Sequence, residues 1–120
     1  MKFIKDLQTY SNNNLIIVEG KKDKEPLKEL KIKNVYAIYE INKIDTSLFK
    51  EVLILTDRDK KGLKIYKYVY RYFTSEGLVI NDKLRNEFFK VFKVTRVEEI
   101  KRKLKPVKDI IEYEELTRIC

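Results

Sequence analysis

The sequence predicts an α/β fold: one domain over residues 1–120, built on a central parallel sheet of about four strands with helices flanking it. Two short runs, Leu15 to Val18 and Val52 to Leu55, are wholly apolar and rich in β-branched residues, as strands covered on both faces must be. Segments with helical periodicity alternate with such runs along the chain. With 120 residues, 43% of them hydrophobic, the chain has the length of one ordinary domain and enough apolar surface for a core.

In chain order, Phe3, Ile4, Leu7 and Tyr10 form a helical stripe, and Asn12, Asn13 and Asn14 form a turn before the first strand. Lys24 to Leu30 reads as a helix, with Pro26 accommodated in its first turn. Val35 to Tyr39 is the second strand, Asp45 to Phe49 a brief helical turn, and Val52 to Leu55 the third strand. The helix after Gly62 is the most regular: Leu63, Tyr66, Val69, Tyr70 and Phe73 share a face, and Gly77 stands where a C-terminal cap belongs. Tyr66, Tyr70 and Phe73 are read there as core rather than as stacking platforms for bases. Leu78 to Ile80 is a short strand, and Leu84, Phe88, Val91 and Phe92 mark a helix capped by Asn81 or Asp82. Thr95 and Glu98 have capping-box spacing ahead of Val97, Ile100 and Leu104, which puts Lys101, Arg102 and Lys103 in that helix's last turn, where cations suit the dipole. Beyond Pro106, Asp109 to Ile119 is expected to be helical, and Glu112, Glu114 and Glu115 give it either a partner-binding or a solvated face.

The charge balance points to a polyanionic partner. Lys and Arg number 27 against 19 Asp and Glu, a net charge of +8, and nucleic acid comes ahead of an acidic membrane surface as the class of partner. No apolar run approaches the length of a membrane span, and no signal peptide is visible. The single cysteine, Cys120, excludes an intrachain disulfide, so a reducing cytoplasm is expected. The chain has no histidine, which excludes imidazole zinc sites, Ser-His-Asp triads and Cys-His dyads. Chemistry here falls to carboxylates, lysines, tyrosines or a metal.

Both apolar strands stop at acids: "LIIVEG" runs into Glu19, and "VLILTDRD" into Asp57 and Asp59. Ligands of an open parallel sheet bind outside the carboxyl ends of its strands. If the two strands are neighbours, the three carboxylates converge there, and each raises the others' pKa unless a cation joins them. Mg²⁺ prefers oxygen ligands and takes one or two carboxylates together with water and substrate phosphate. Lys21 and Lys22 follow the first acid; Arg58, Lys60 and Lys61 surround the other two. Gly20 allows close backbone approach, and Gly62 opens a helix whose N-terminal N–H groups suit an anion. Each feature also has a plainer reading: Glu19 as a solvated strand end, Asp59 as a helix cap, Lys21 and Lys22 as surface charge.

The "VEGKKD" of Val18 to Asp23 and the "LTDRDKKG" of Leu55 to Gly62 resemble the two signature motifs of TOPRIM domains. That domain is shared by topoisomerases of types IA and II, bacterial-type primases, certain nucleases and recombination proteins. The match covers a motif core of about residues 13–80, with 81–120 as a helical extension. In the latter, "NDKLRNEFF" and "VTRVEEI" are similar to small stand-alone archaeal TOPRIM proteins, akin to the ribonucleases that mature 5S ribosomal RNA.

The resemblance implies a Rossmann-like fold and a role for each matching residue. Glu19 corresponds to the family's acid, a general acid or base and metal contact. Asp57 and Asp59 correspond to its metal-binding pair, and Gly20, Asp23 and Gly62 to accessory positions. Lys61 stands where topoisomerases often carry a third acid, which argues against their two-metal arrangement. The implied activity is Mg²⁺-dependent hydrolysis of phosphodiesters, with Mn²⁺ as the substitute ion. The substrate is structured RNA ahead of DNA, and Lys21, Lys22, Arg58, Lys60 and Lys61 contact its phosphates. The alternative is a non-catalytic nucleic-acid-binding module within a ribonucleoprotein, replication or repair complex. A protein partner or a homo-oligomer is left open.

Overall fold

The computed structural model describes residues 2–103. Helix α1 (Lys2–Ser11) leads into strand β1 (Leu15–Val18), helix α2 (Lys21–Glu29) and strand β2 (Val35–Ala37). Two 3₁₀ turns, Ile38–Lys43 and Thr46–Leu48, connect to strand β3 (Glu51–Leu55). Helix α3 (Lys60–Ser75), strand β4 (Val79–Ile80), helix α4 (Asp82–Phe92) and a 3₁₀ turn (Val97–Ile100) follow. The expected tail helix, Asp109 to Ile119, lies outside the described residues.

The sheet is four-stranded and parallel throughout, in the order β2-β1-β3-β4. In β1 and β3, Leu15 pairs with Val52 and Val18 with Leu55, so both strands end at the same edge. From this central pair the connections diverge: β1 passes outward through α2 to β2, and β3 outward through α3 to β4. Right-handed crossovers in opposite directions must land on opposite faces. The core divides accordingly. Ile16, Val18, Leu53 and Leu55 pack with α1, α2 and α4, while Leu15, Ile17, Val52 and Ile54 pack with Val69 and Phe73 of α3. The architecture is Rossmann-like, and its switch point lies between β1 and β3, the place where such sheets open a crevice.

Several boundaries differ from expectation for local reasons. Helix α2 begins at Lys21, because the Asp23 carboxylate accepts the Gly20 N–H at 3.1 Å and closes the first turn. Pro26 is therefore inside the helix rather than in its first turn, and the helix ends at Glu29. Strand β2 stops at Ala37, where the Glu40 carboxylate accepts the Ala37 N–H at 3.0 Å and winds the chain into a 3₁₀ turn. Near residue 95 the capping pair is one step later than expected: Glu99, not Glu98, accepts the N–H of Arg96, not of Thr95, at 2.9 Å. The C-terminal cap of α3 is as expected. Gly77 has φ +88°, its N–H reaches the Thr74 carbonyl, and the Leu78 N–H reaches that of Phe73, both at 3.0 Å. Of the stripe expected to face the core, Val69 and Phe73 are buried, Tyr66 is half-buried, and Leu63 and Tyr70 are exposed. In α4, Phe89 takes the buried position expected of Val91.

Candidate active site

Glu19 is the first residue past β1 and Asp57 the second past β3, so both leave the sheet at the switch point. Glu19 turns back into the protein. Its Oε1 atom is buried and, among the described residues, has no hydrogen-bond partner. Burial, the Asp57 carboxylate beside it, and then the charges of Asp23 and Asp59 push its pKa from 4.5 up to about 7.

Two features hold Asp57. Its Oδ1 accepts the Val97 N–H at 2.9 Å, which ties the end of β3 to the segment after α4. Behind it packs Gly62, where a Cβ would stand 1.9 Å from the Asp57 carbonyl oxygen; only glycine fits. Gly20 is different. Its backbone is extended and nothing among the described residues lies within 4 Å of the corresponding position, so no close approach by them requires glycine there.

Asp59 does not join the other two as expected. Its Oδ1 accepts the Gly62 N–H at 2.7 Å as the N-cap of α3, and its Oδ2 stands 3.5 Å from the Arg96 guanidinium. Of the N-terminal N–H groups of α3 expected to suit an anion, that of Gly62 is thus taken by the chain's own carboxylate. Among the described residues, no three Asp, Glu or Cys side chains are gathered closely enough to grip one ion as they stand. The donor set of Glu19 and Asp57 nevertheless fits a hard divalent cation: only oxygens, one of them buried and unpartnered, in a like-charged pair that a cation would relieve.

The remaining expected residues divide by exposure. Lys21, Lys22, Lys60 and Lys61 are exposed around the edge. Asp23 is 8% exposed, and burial chiefly raises its pKa; its carboxylate holds the Gly20 turn. Arg58 is tied back: its N–H donates to the Thr95 carbonyl at 2.7 Å, and its guanidinium bonds Asn86 and lies over the Phe89 ring.

Arg85 is the residue that sequence reading missed. It is 5% exposed, and its Nη1 donates to the carbonyls of Ile54 and Thr56, each at 2.8 Å, at the end of β3. Its guanidinium is sandwiched by Tyr66 at 4.8 Å and Phe89 at 5.1 Å, while Nη2 is buried without a partner among the described residues. Burial, and then the neighbouring Arg58, lower its pKa. The available signal was an arginine one position after Leu84 and four before Phe89, within the apolar face of α4.

A family model described as the Toprim domain matches residues 14–97. The chain is 32% identical over 96 residues to a UPF0292 protein of Methanocaldococcus jannaschii, covering 74% of this chain and 75% of that one. It is 28% identical over 102 residues to a UPF0292 protein of Archaeoglobus fulgidus, covering 81% and 82%. Among solved structures, a protein from Aquifex aeolicus superposes with a TM-score of 0.73 at 30% identity, over 82% of this chain and 95% of the other.

Proposed function

The chain belongs to the Toprim domain family, a metal-binding, nucleic-acid-processing module, and from that premise we propose that it is a Mg²⁺-dependent nuclease that hydrolyses phosphodiester bonds in structured RNA, or in DNA. The observation that carries the reading is the Glu19–Asp57 pair at the switch point, with a buried carboxylate oxygen that no group among the described residues satisfies. A protein that only bound phosphates would gain nothing from acids in that position, because they repel the ligand.

Glu19 and Asp57 would hold the ion, and Asp59 would add to it in place of its contact with Arg96. When bound, Mg²⁺ (or Mn²⁺) supplies positive charge to the phosphate oxygens as negative charge builds on them. Glu19 takes a proton from the attacking water or gives one to the leaving oxygen. Lys21, Lys22, Lys60 and Lys61 bind flanking phosphates, and Arg58 stiffens the loop that carries Asp57.

A second reading, a binding module without catalysis, is favoured by the internal commitments of Asp59 and Arg58. Incubation of labelled structured RNA and of plasmid DNA, with Mg²⁺ and with chelator, separates the two. Mg²⁺-dependent cleavage that is lost in Glu19→Gln and Asp57→Asn establishes the enzyme. Salt-sensitive binding with no cleavage by the parent protein establishes the module.

A further inference from the structure

Helix α3 carries no Asp or Glu in its 16 residues. Lys60, Lys64, Lys67 and Arg71 recur along it at steps of four, three and four, which at 100° per residue gathers them within about 60° of arc, over a length of about 17 Å. All four are exposed, on the side opposite the buried Val69 and Phe73. Among the described residues none of the four makes an ion pair.

Tyrosines border this cationic stripe on both flanks. Tyr70 is 41% exposed on one side and Tyr68 57% exposed on the other. Tyr70 leans on Tyr66, with ring centroids 5.9 Å apart and 47° between planes, and Tyr66 is anchored from below by the Arg85 guanidinium at 4.8 Å. Tyr70 is thus held outward by structure beneath it, along a shallow cleft walled by Tyr66, Lys67, Tyr70 and Arg71. The stripe starts at Lys60, beside Asp59, so it runs directly out of the candidate site.

We propose that the outer face of α3 is a track for single-stranded nucleic acid, which delivers one strand to the crevice at Glu19 and Asp57; this rests on the function proposed above and specifies its substrate. A line of unpaired cations complements a polyanion. Exposed tyrosines beside it select an unpaired strand, because only unstacked bases offer a free ring face; in a duplex those faces are covered. Lys64, Lys67 and Arg71 contact successive phosphates, and Tyr70 stacks on a base.

The test is fluorescence anisotropy of a labelled single-stranded oligonucleotide, and of the same sequence as a duplex, with the full chain in chelator so that nothing is cleaved. The parent protein is expected to bind the single strand more tightly. Lys64→Ala/Lys67→Ala/Arg71→Ala is expected to lose at least tenfold in affinity, with a salt slope shallower by about 2, at roughly 0.7 per phosphate of a single strand. Tyr70→Ala is expected to lose about fivefold with its slope unchanged, the loss of one stacked base. The charge-preserving Lys64→Arg/Lys67→Arg/Arg71→Lys variant retains binding, which separates a charge effect from misfolding. Parent-level affinity and slope in the triple alanine variant would overturn the track while leaving the nuclease reading intact. A preference for duplex, unaffected by Tyr70→Ala, would likewise overturn it. Absence of binding by the parent to either form would overturn both. Binding as expected, with no Mg²⁺-dependent cleavage of any substrate, would sink the nuclease reading alone.

Discussion

Gly62 and Asp57 are in backbone contact: a Cβ on the former would stand 1.9 Å from the carbonyl oxygen of the latter. The first turn of α3 thereby sets where β3's acid emerges. Gly62→Ala has to push either the helix or the Asp57 loop aside. We expect a loss of stability of about 1–3 kcal/mol, as for other overpacked sites, read from urea unfolding. A larger loss in divalent-ion affinity than Gly20→Ala causes should accompany it, since position 20 has open space around it. Equal effects at the two glycines would count against this role for Gly62.

Glu19 gives a pH signature. Its pKa is raised from 4.5 to about 7 in the fold, so the native state holds more protons than the unfolded chain between those values, and stability falls as pH rises through that window. Glu19→Gln removes the effect. Thermal melts should find the variant more stable than the parent at pH 8, with the gap closing toward pH 5. Added Mg²⁺ should stabilise the parent at pH 8 and do less for the variant. A gap that widens on acidification would contradict the buried, like-charged environment described for this residue.

Arg85 secures the end of β3 through the carbonyls of Ile54 and Thr56. Arg85→Met leaves those acceptors without their side-chain donor while filling much of the volume between Tyr66 and Phe89. The expected cost is about 1–3 kcal/mol in urea unfolding, that of unmade buried hydrogen bonds. An unchanged midpoint would mean that the guanidinium does no more than fill space.

Arg96 competes for Asp59. Their separation of 3.5 Å and the exposure of both side chains make the pair worth about 0–1 kcal/mol, so Arg96→Ala should scarcely alter the melting temperature. It should strengthen Mn²⁺ binding by freeing a carboxylate oxygen. Weaker binding would show instead that Arg96 supports the site.

Much of this was legible in the residues, and what was not has specific causes. The strands announced themselves because parallel strands at the centre of a sheet are apolar on both faces, as Leu15–Val18 and Leu53–Leu55 are. Their termination in acids marked the edge that matters. The start of α2 is masked in the sequence because Asp23, part of the site motif, also caps that helix. Asp59 satisfies two patterns at once, the family's metal pair and the helix N-cap, and only coordinates reveal that the cap and Arg96 hold it. Tyr66 and Tyr70 shared a stripe with Val69 and Phe73, yet a 16-residue helix on one sheet face buries only a narrow arc, which left Tyr70 outside. The partnership of Asp57 with Val97 spans 40 residues, and no local pattern encodes it.

A Mn²⁺ titration followed by electron paramagnetic resonance tests the central claim, that Glu19 and Asp57 together bind a divalent cation at the β1–β3 switch point. The account predicts a site in the parent protein, weakened at least tenfold by Asp57→Asn and by Glu19→Gln, with both variants folded. Parent-like Mn²⁺ affinity in both variants would contradict it.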